Sequence, residues 1–255
     1  MSKPMNINRR GFVGTCGGVA AAALAGGCAT TGGGNMGKVV VVGGGVGGAT
    51  AAKYLRMWSD NRIEVTLIEP NTAFVSCPIS NLVLGGSKQL ADITVPYANL
   101  ASRHGVKVVH DRVAAIDPAK KTVRLASGST LPYDRLVLSP GIDFMWDGVK
   151  DLQAASQSGR ILQAWKAGPE TVALRRQLEA MPDGGVYALA IPEAPYRCPP
   201  GPYERASVIA SYFKQAKPKS KVLVLDANAD VTSKGPLFKK VWAEQYKGIL
   251  EYRPQ

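Results

Sequence analysis

The run Lys38–Thr50, KVVVVGGGVGGAT, leaves this chain few folds to choose from. Four consecutive valines read as a strand buried on both faces, the pattern of a parallel sheet. Gly43, Gly45 and Gly48 then supply the G-x-G-x-x-G turn, which opens a helix expected from Ala49 to about Trp58. Gly43 permits the tight turn, Gly45 lets the backbone approach a pyrophosphate, and Gly48 lets helix and strand pack closely. The phosphates would rest on the helix N-terminus, with Val46 and Gly47 inside the same turn as further candidate contacts. A second strand, Arg62 to Ile68, ends at Glu69, which lies 21 residues beyond Gly48 and is followed by Pro70. That is the place for a carboxylate that takes the ribose hydroxyls of an adenosine. The stretch therefore predicts a dinucleotide site in an α/β, Rossmann-like domain.

A length of 255 residues is the size of one large or two ordinary domains. Residues 1–36 stand apart as signal and linker. Asn8-Arg9-Arg10-Gly11-Phe12-Val13 resembles a twin-arginine export signal, and an apolar stretch rich in Ala and Gly follows to Ala25. That stretch is too short and too rich in Gly to span a bilayer. The twin-arginine route carries folded, cofactor-loaded proteins, which agrees with a flavin or similar group and with a periplasmic destination. Cleavage is expected near Ala25 to Ala29. Leu24–Cys28 forms an imperfect lipobox, so membrane anchoring is expected only if Cys28 is lipidated. Thr30 to Gly37 reads as a flexible linker.

The net charge is +12, and loss of residues 1–27 takes away Lys3, Arg9 and Arg10 and no acid, leaving +9. The basic residues come in scattered pairs such as Lys120-Lys121 and Arg175-Arg176, with no run of five and no aromatic interleaving. Nucleic acid is thus the least supported partner, behind a membrane surface or an acidic protein. Beyond the signal only Cys77 and Cys198 remain, and no C-x-x-C-H is present to carry a covalent haem. A structural bridge between them is one reading for an exported chain. His104 and His110 flank a short strand over 106–109 and read as structural, and no metal-ligand cluster accompanies them.

Cys77 lies in the loop after Glu69. A dinucleotide along the first strand would extend its ring system over this loop, so Cys77 is either a thiolate at a flavin edge or a small buried apolar residue. Short strands occupy Val106 to Val123. Tyr133 to Gly141 reads as another buried strand, whose Pro140-Gly141 turn either returns the chain to the cofactor or simply exits the sheet. A weak helix is expected in Lys150 to Gln163 and a better one over Glu170 to Met181, before the stop signal Pro182-Asp183-Gly184-Gly185. The resulting division is a first domain over 37–145, a connection over 146–182 and a second Rossmann-like domain over 183–255.

The second domain opens with a strand, Val186 to Ile191, a helix, Tyr203 to Lys214, and a strand, Lys221 to Asp226. A helix near Leu237 to Tyr246 and a strand over Ile249 to Tyr252 follow. Where a nicotinamide-binding unit needs its glycine turn, this chain has PEAPYRCPPGPYERAS, whose five prolines remove the donors a pyrophosphate uses. NAD(P) binding is not expected there. Cys198 instead sits near a helix N-terminus with Arg197 and Arg205, positive fields that favour a thiolate. Glu204 is either a proton relay or an ordinary first-turn acid.

From Lys38 onward the chain resembles the flavoprotein subunit of flavocytochrome c sulfide dehydrogenases, within the disulfide-reductase and sulfide:quinone reductase group. The resemblance rests on KVVVVGGGVGGATAAKYL, LIEPNT with Cys77 and SNLVLGG, AWKAG at Ala164 to Gly168, and RCPPGPYERAS. It implies FAD joined through the Cys77 sulfur to the 8α-methyl, and a redox-active disulfide made by Cys198 with a cysteine much later in the chain. It also implies hydrogen sulfide as substrate and a c-type cytochrome subunit as electron acceptor, a chemistry in which Glu204 is the candidate proton acceptor. The family pattern runs well over a hundred residues further, so a C-terminally truncated chain with exposed sheet edges and poor solubility is expected. A quinone-reducing relative, and a non-catalytic remnant with Cys198 unpaired, are the alternative readings.

Overall fold

The computed structural model describes residues 34–255. The expected export signal, the lipobox with Cys28 and the start of the linker lie outside the described residues. Strand β1 (Gly37–Val42) leads into helix α1 (Val46–Trp58) and strand β2 (Ile63–Ile68). Then come β3 (Ala73–Val75), α2 (Ser80–Leu84), β4 (Thr94–Pro96), α3 (Ala98–His104) and β5 (Lys107–Val109). An antiparallel sheet of β6 (Val113–Asp117), β7 (Thr122–Leu125) and β8 (Thr130–Pro132) precedes β9 (Arg135–Leu138), which returns to β1. The order β5-β2-β1-β9 is wholly parallel, with Val39 opposite Val65, Val41 opposite Leu67 and Val40 opposite Leu136.

The valine run is buried on both faces because both are covered. Val39 and Val41 pack with Ala52, Val65, Leu67, Tyr97 and Val106, while Val40 packs with Ile68, Val123 and Leu125. Helix α1 begins at Val46, three residues before the expected Ala49, with Gly45 as its N-cap. Strand β9 departs from expectation more strongly. It is an edge strand with Leu138 59% exposed, because it pairs with β1 on one side only. Its apolar sequence alone had suggested full burial.

Helix α4 (Leu152–Gln157) and helix α5 (Pro169–Ala180) lead to a second parallel sheet. This runs β10 (Val186–Ile191), α6 (Gly201–Ala216), β11 (Lys221–Asp226), α7 (Gly235–Gln245) and β12 (Leu250–Arg253), in the order β10-β11-β12. Its core gathers Leu174, Leu178, Ile209, Phe213, Phe238 and Trp242, so α5 belongs to the second core as well as connecting the halves. Leu84 of α2 enters the same core, and the Arg175 Nη1–H donates to its carbonyl at 3.0 Å. Helix α2 is therefore the wedge between the halves.

The end of α5 is closed by a buried lysine. Lys217 is 9% exposed, and its Nζ donates to the carbonyls of Leu178 (2.9 Å), Glu179 (2.6 Å) and Met181. Last-turn carbonyls have no partner within their own helix, so this ammonium satisfies groups that would otherwise be buried and unpaired. Lys217→Met keeps the apolar stem and removes the donors. It should cost about 2–3 kcal/mol, read as a lowered urea midpoint at unchanged slope.

Candidate functional site: the glycine turn and the two cysteines

Gly43 takes φ of +92°, and a side chain there would overlap the Ser139 carbonyl. A Cβ on Gly48 would overlap the Gly43 carbonyl oxygen, which is the close helix–strand approach the spacing predicted. One at Gly47 would come within 2.9 Å of the Ser139 hydroxyl. Gly45 differs: nothing lies within 4 Å of its Cβ position, and it caps α1 with no side-chain hydrogen bond. Val46, Gly47, Pro70, Pro140 and Gly141 are all exposed around it. The turn thus presents bare backbone and a helix N-terminus to an open rim, a cradle that fits the pyrophosphate of a dinucleotide.

Glu69 lies beneath this turn, 8% exposed. Its Oε2 accepts the Gly44 N–H at 2.8 Å, and its Oε1 accepts the Asn71 N–H at 3.0 Å and the Asn71 Nδ2–H at 2.7 Å. Each carboxylate oxygen has two lone pairs, so Oε2 keeps capacity for a ribose hydroxyl. Tyr97, absent from the sequence reading, donates its hydroxyl to the Gly44 carbonyl at 2.8 Å and is 5% exposed. Burial, and secondarily the Glu69 carboxylate, push its pKa up to about 12. No motif marks TVPYANL, so nothing in the sequence signalled this clamp. His110 pairs its Nδ1 with the Glu69 carbonyl at 3.1 Å, a structural role as expected.

The fold brings Cys77, Cys198 and Arg205 within electrostatic reach of one another, with Glu204 preceding Arg205 in the first turn of α6. The half-buried Cys77 donates its S–H to the Trp165 carbonyl at 3.0 Å. One residue earlier, the Ala164 carbonyl accepts Arg205 Nη2–H at 2.8 Å, so the strap Ala164–Ala167 touches both. Burial pushes the Cys77 thiol up, against the opposing pull of Arg197 and Arg205 and alongside a smaller upward push from Cys198. Cys198 is exposed in the left-handed region at φ +57°, and its Sγ lies 3.1 Å from where a Gly201 Cβ would be. Gly201, the first residue of α6, is therefore what lets the sulfur sit over that helix end. Both thiols are free. Four residues past Cys77, Asn81 Oδ1 is buried with no hydrogen-bond partner, an acceptor suited to a bound donor.

The second sheet repeats the acid of the first and then closes it. Asp226 Oδ1 accepts the Asn228 N–H and Nδ2–H at 3.0 and 2.7 Å, as Glu69 does from Asn71. Its Oδ2, however, accepts the hydroxyls of Tyr203 (2.7 Å) and Tyr252 (2.9 Å). Tyr203 is fully buried and stacks toward Phe238 and Trp242. Side chains thus fill the position that a nucleotide ribose would need. The repeated acid-x-asparagine spacing was the signal in the sequence that could have found this pair.

Residues 37–172 match the pattern of the pyridine nucleotide-disulphide oxidoreductase family. The chain belongs to that family. Residues 171–255 match the central part of the sulfide dehydrogenase (flavocytochrome c) flavoprotein chain. A flavoprotein chain of that name from Chlorobaculum thiosulfatiphilum is 67% identical over 37 residues, 14% of this chain and 75% of that sequence. The mitochondrial sulfide:quinone oxidoreductase of Mus musculus is 27% identical over 190 residues, 69% of this chain and 39% of the mouse protein. The sulfide:quinone oxidoreductase structure from Aquifex aeolicus superposes with a TM-score of 0.70 at 24% identity, covering 85% of this chain and 50% of that one. The chain thus spans about half or less of these two long relatives, and the structural likeness carries the Rossmann-like fold.

Two substitutions separate binding from folding at the turn. Gly45→Ala, at φ −65° with open space, should leave the urea midpoint unchanged but weaken FAD uptake in a fluorescence titration. Gly48→Ala should cost about 2–3 kcal/mol of stability outright. Tyr97 adds a pH dependence, since its folded pKa lies above the ordinary 10.0. The unfolded chain loses this proton first as pH rises, so the contribution is complete below pH 10 and is lost through about 12. Tyr97→Phe should cost about 1 kcal/mol at neutral pH and flatten that part of the alkaline limb in urea melts across the range.

Proposed function

We propose that this chain is the flavin-bearing part of a sulfide oxidoreductase that passes electrons to a c-type cytochrome. The observation that carries the reading is the approach of Cys77, from the first sheet's loops, to Cys198 and Arg205 of the second, with Cys77 and Arg205 held by the same strap. It gains support from the two family patterns that cover the halves. Gly43 and Gly45–Gly48 would hold the FAD pyrophosphate, Glu69 the adenosine ribose, and the Pro140–Gly141 rim the middle of the molecule. FAD bound there supplies a two-electron acceptor that can release electrons singly.

In this reading the Cys77 sulfur is the covalent thioether anchor to the 8α-methyl. Cys198 is one sulfur of a disulfide whose second cysteine belongs to a part of the protein beyond these elements. Hydrosulfide attacks that disulfide, the S–S bond breaks, one sulfur keeps a persulfide and the other leaves as thiolate. Glu204, half-buried in the first turn of α6, accepts the proton that hydrosulfide gives up. The closed Asp226 site and the proline-rich turn favour a protein acceptor over a nicotinamide. The twin-arginine signal would deliver the loaded protein to the periplasm, where such cytochromes reside. The names of the mouse and Aquifex relatives favour quinone as the second reading of the acceptor.

Acid precipitation of the exported holoprotein tests the anchor. The pellet should stay yellow, and in Cys77→Ser the colour should move to the supernatant. A colourless pellet from the unaltered protein would remove the covalent assignment. Sulfide-dependent reduction of a c-type cytochrome, absent with decylubiquinone, is the outcome expected for the acceptor, and the reverse would select the quinone reading.

A further inference from the structure

Helix α1 carries an apolar and cationic face at the end opposite the glycine turn. Lys53 and Met57 stand four residues apart, as do Tyr54 and Trp58 beside them, so the four side chains share one side of the helix's C-terminal half. Trp58 is 80% exposed and Met57 45%. The Tyr54 and Trp58 rings lie 4.8 Å apart, and Lys53 Nζ sits 5.2 Å from the centre of the Tyr54 ring. Met36, also exposed, joins this end of the fold, because its N–H donates to the Arg62 carbonyl at 2.9 Å in the turn that follows Trp58. The exposure is not that of a frayed end. Arg56 donates to the carbonyls of Asn61 (2.7 Å), Ile63 (2.6 Å) and His104 (3.0 Å), and the Ser59 hydroxyl accepts the Ile63 N–H at 3.1 Å. The turn is thus tied down on all sides while Trp58 stays open to solvent.

Tryptophan and tyrosine, each with an apolar body and a polar tip, set among methionines and long cations, make the composition that favours a bilayer interface. The charge matches an anionic surface, since Lys53–Arg62 holds the cations Lys53, Arg56 and Arg62 against one acid, Asp60. The chain upstream matches it too. Met36 follows Cys28 by eight residues and the apolar stretch ending at Ala25 by eleven, so at most about 29 Å of extended chain separates Cys28 from this face. We propose that this end of α1 docks on an anionic phospholipid surface, with Trp58 and Met57 in the headgroup layer and Lys53 and Arg62 against lipid phosphates. Trp58 lies about 20 Å along the helix from the Gly45 cap, so docking here leaves the glycine turn uncovered. The face is independent of the sulfide-oxidising reading and of any lipid on Cys28.

The test uses the full chain, purified without export so that Cys28 carries no lipid, and vesicles of phosphatidylglycerol and phosphatidylcholine brominated on their acyl chains. The chain should sediment with the vesicles, and the bromine should quench its tryptophan emission. Of its four tryptophans Trp58 alone stands on this face, so Trp58→Phe should keep binding and lose most of the quenching. Trp58→Ser should weaken partitioning about tenfold, the effect of withdrawing roughly half of a large apolar side chain from lipid. Lys53→Gln should weaken it about fivefold on the anionic vesicles and less than about twofold on pure phosphatidylcholine. Failure of the unaltered chain to bind overturns the proposal, a result that needs no variant to fold. So does binding without quenching, or with quenching that Trp58→Phe leaves unchanged, since the residues before Met36 would then be the ones in the lipid. A dimer that Trp58→Ser dissociates, with no vesicle binding, would give the face to a second copy of the chain and overturn the proposal as well.

Discussion

Each parallel sheet ends its second strand in a carboxylate, and the surrounding loops depend on what that carboxylate holds. A buried, unpaired carboxylate would be costly, so its lone pairs dictate which backbone segments must come to it. Glu69 and Asp226 solve half of this problem in the same way, each drawing in the amide and side chain of the asparagine two residues on, at the same 3.0 and 2.7 Å. This fixes the loop leaving the strand. The second oxygen fixes the loop that leaves the sheet's first strand or its following helix, and there the two halves part company.

In the first half that oxygen takes the Gly44 N–H while Tyr97 holds the Gly44 carbonyl, so the peptide groups on both sides of one residue are gripped. The turn is held in place without a side chain lying over Gly45. In the second half the corresponding oxygen takes two phenols, and Tyr203 occupies the space itself. Its burial against Phe238 and Trp242 gains apolar area that an open site gives up. One βαβ unit is left free to bind, and the other is spent on a core that presents Cys198 at the start of α6.

What could be read from the sequence followed from chain-local physics. The strand–turn–helix of Lys38–Thr50 was legible because steric demands on Gly43 and Gly48 come from residues within the same unit or from the returning strand. The second unit's elements were legible for the same reason, with ends off by at most two residues where caps and first turns decide the boundary. Helix α6, for instance, starts at Gly201 because Pro202 suits a first turn, where it gives up no needed donor. The exposure of β9 was not legible, since an apolar tetrapeptide carries no information about whether a neighbour pairs on its far side. Tyr97 escaped for a related reason: its partner, Gly44, is 53 residues away. Arg205 was visible as a first-turn cation, but its depth emerges only when the Ala164 strap closes over it.

The meeting of the two cysteines is a property of neither sheet. Cys77 hangs from the loop after β3, Cys198 from the turn before α6, and the strap that contacts Cys77 and Arg205 precedes α5. Their geometry is therefore set by α2, whose Leu84 is buried in the second core and whose last carbonyl is held by Arg175 from α5. Gly85 allows this approach, since a side chain there would come within 2.6 Å of Val208 on α6. A close contact at the far end of a five-residue helix thus helps set where Cys77, three residues before that helix, lies relative to α6. Interiors transmit such shifts because they are packed at near-crystalline density and relax poorly around an added atom. The chemistry proposed for the cysteines accordingly depends on packing between the halves as much as on the residues that surround the sulfurs.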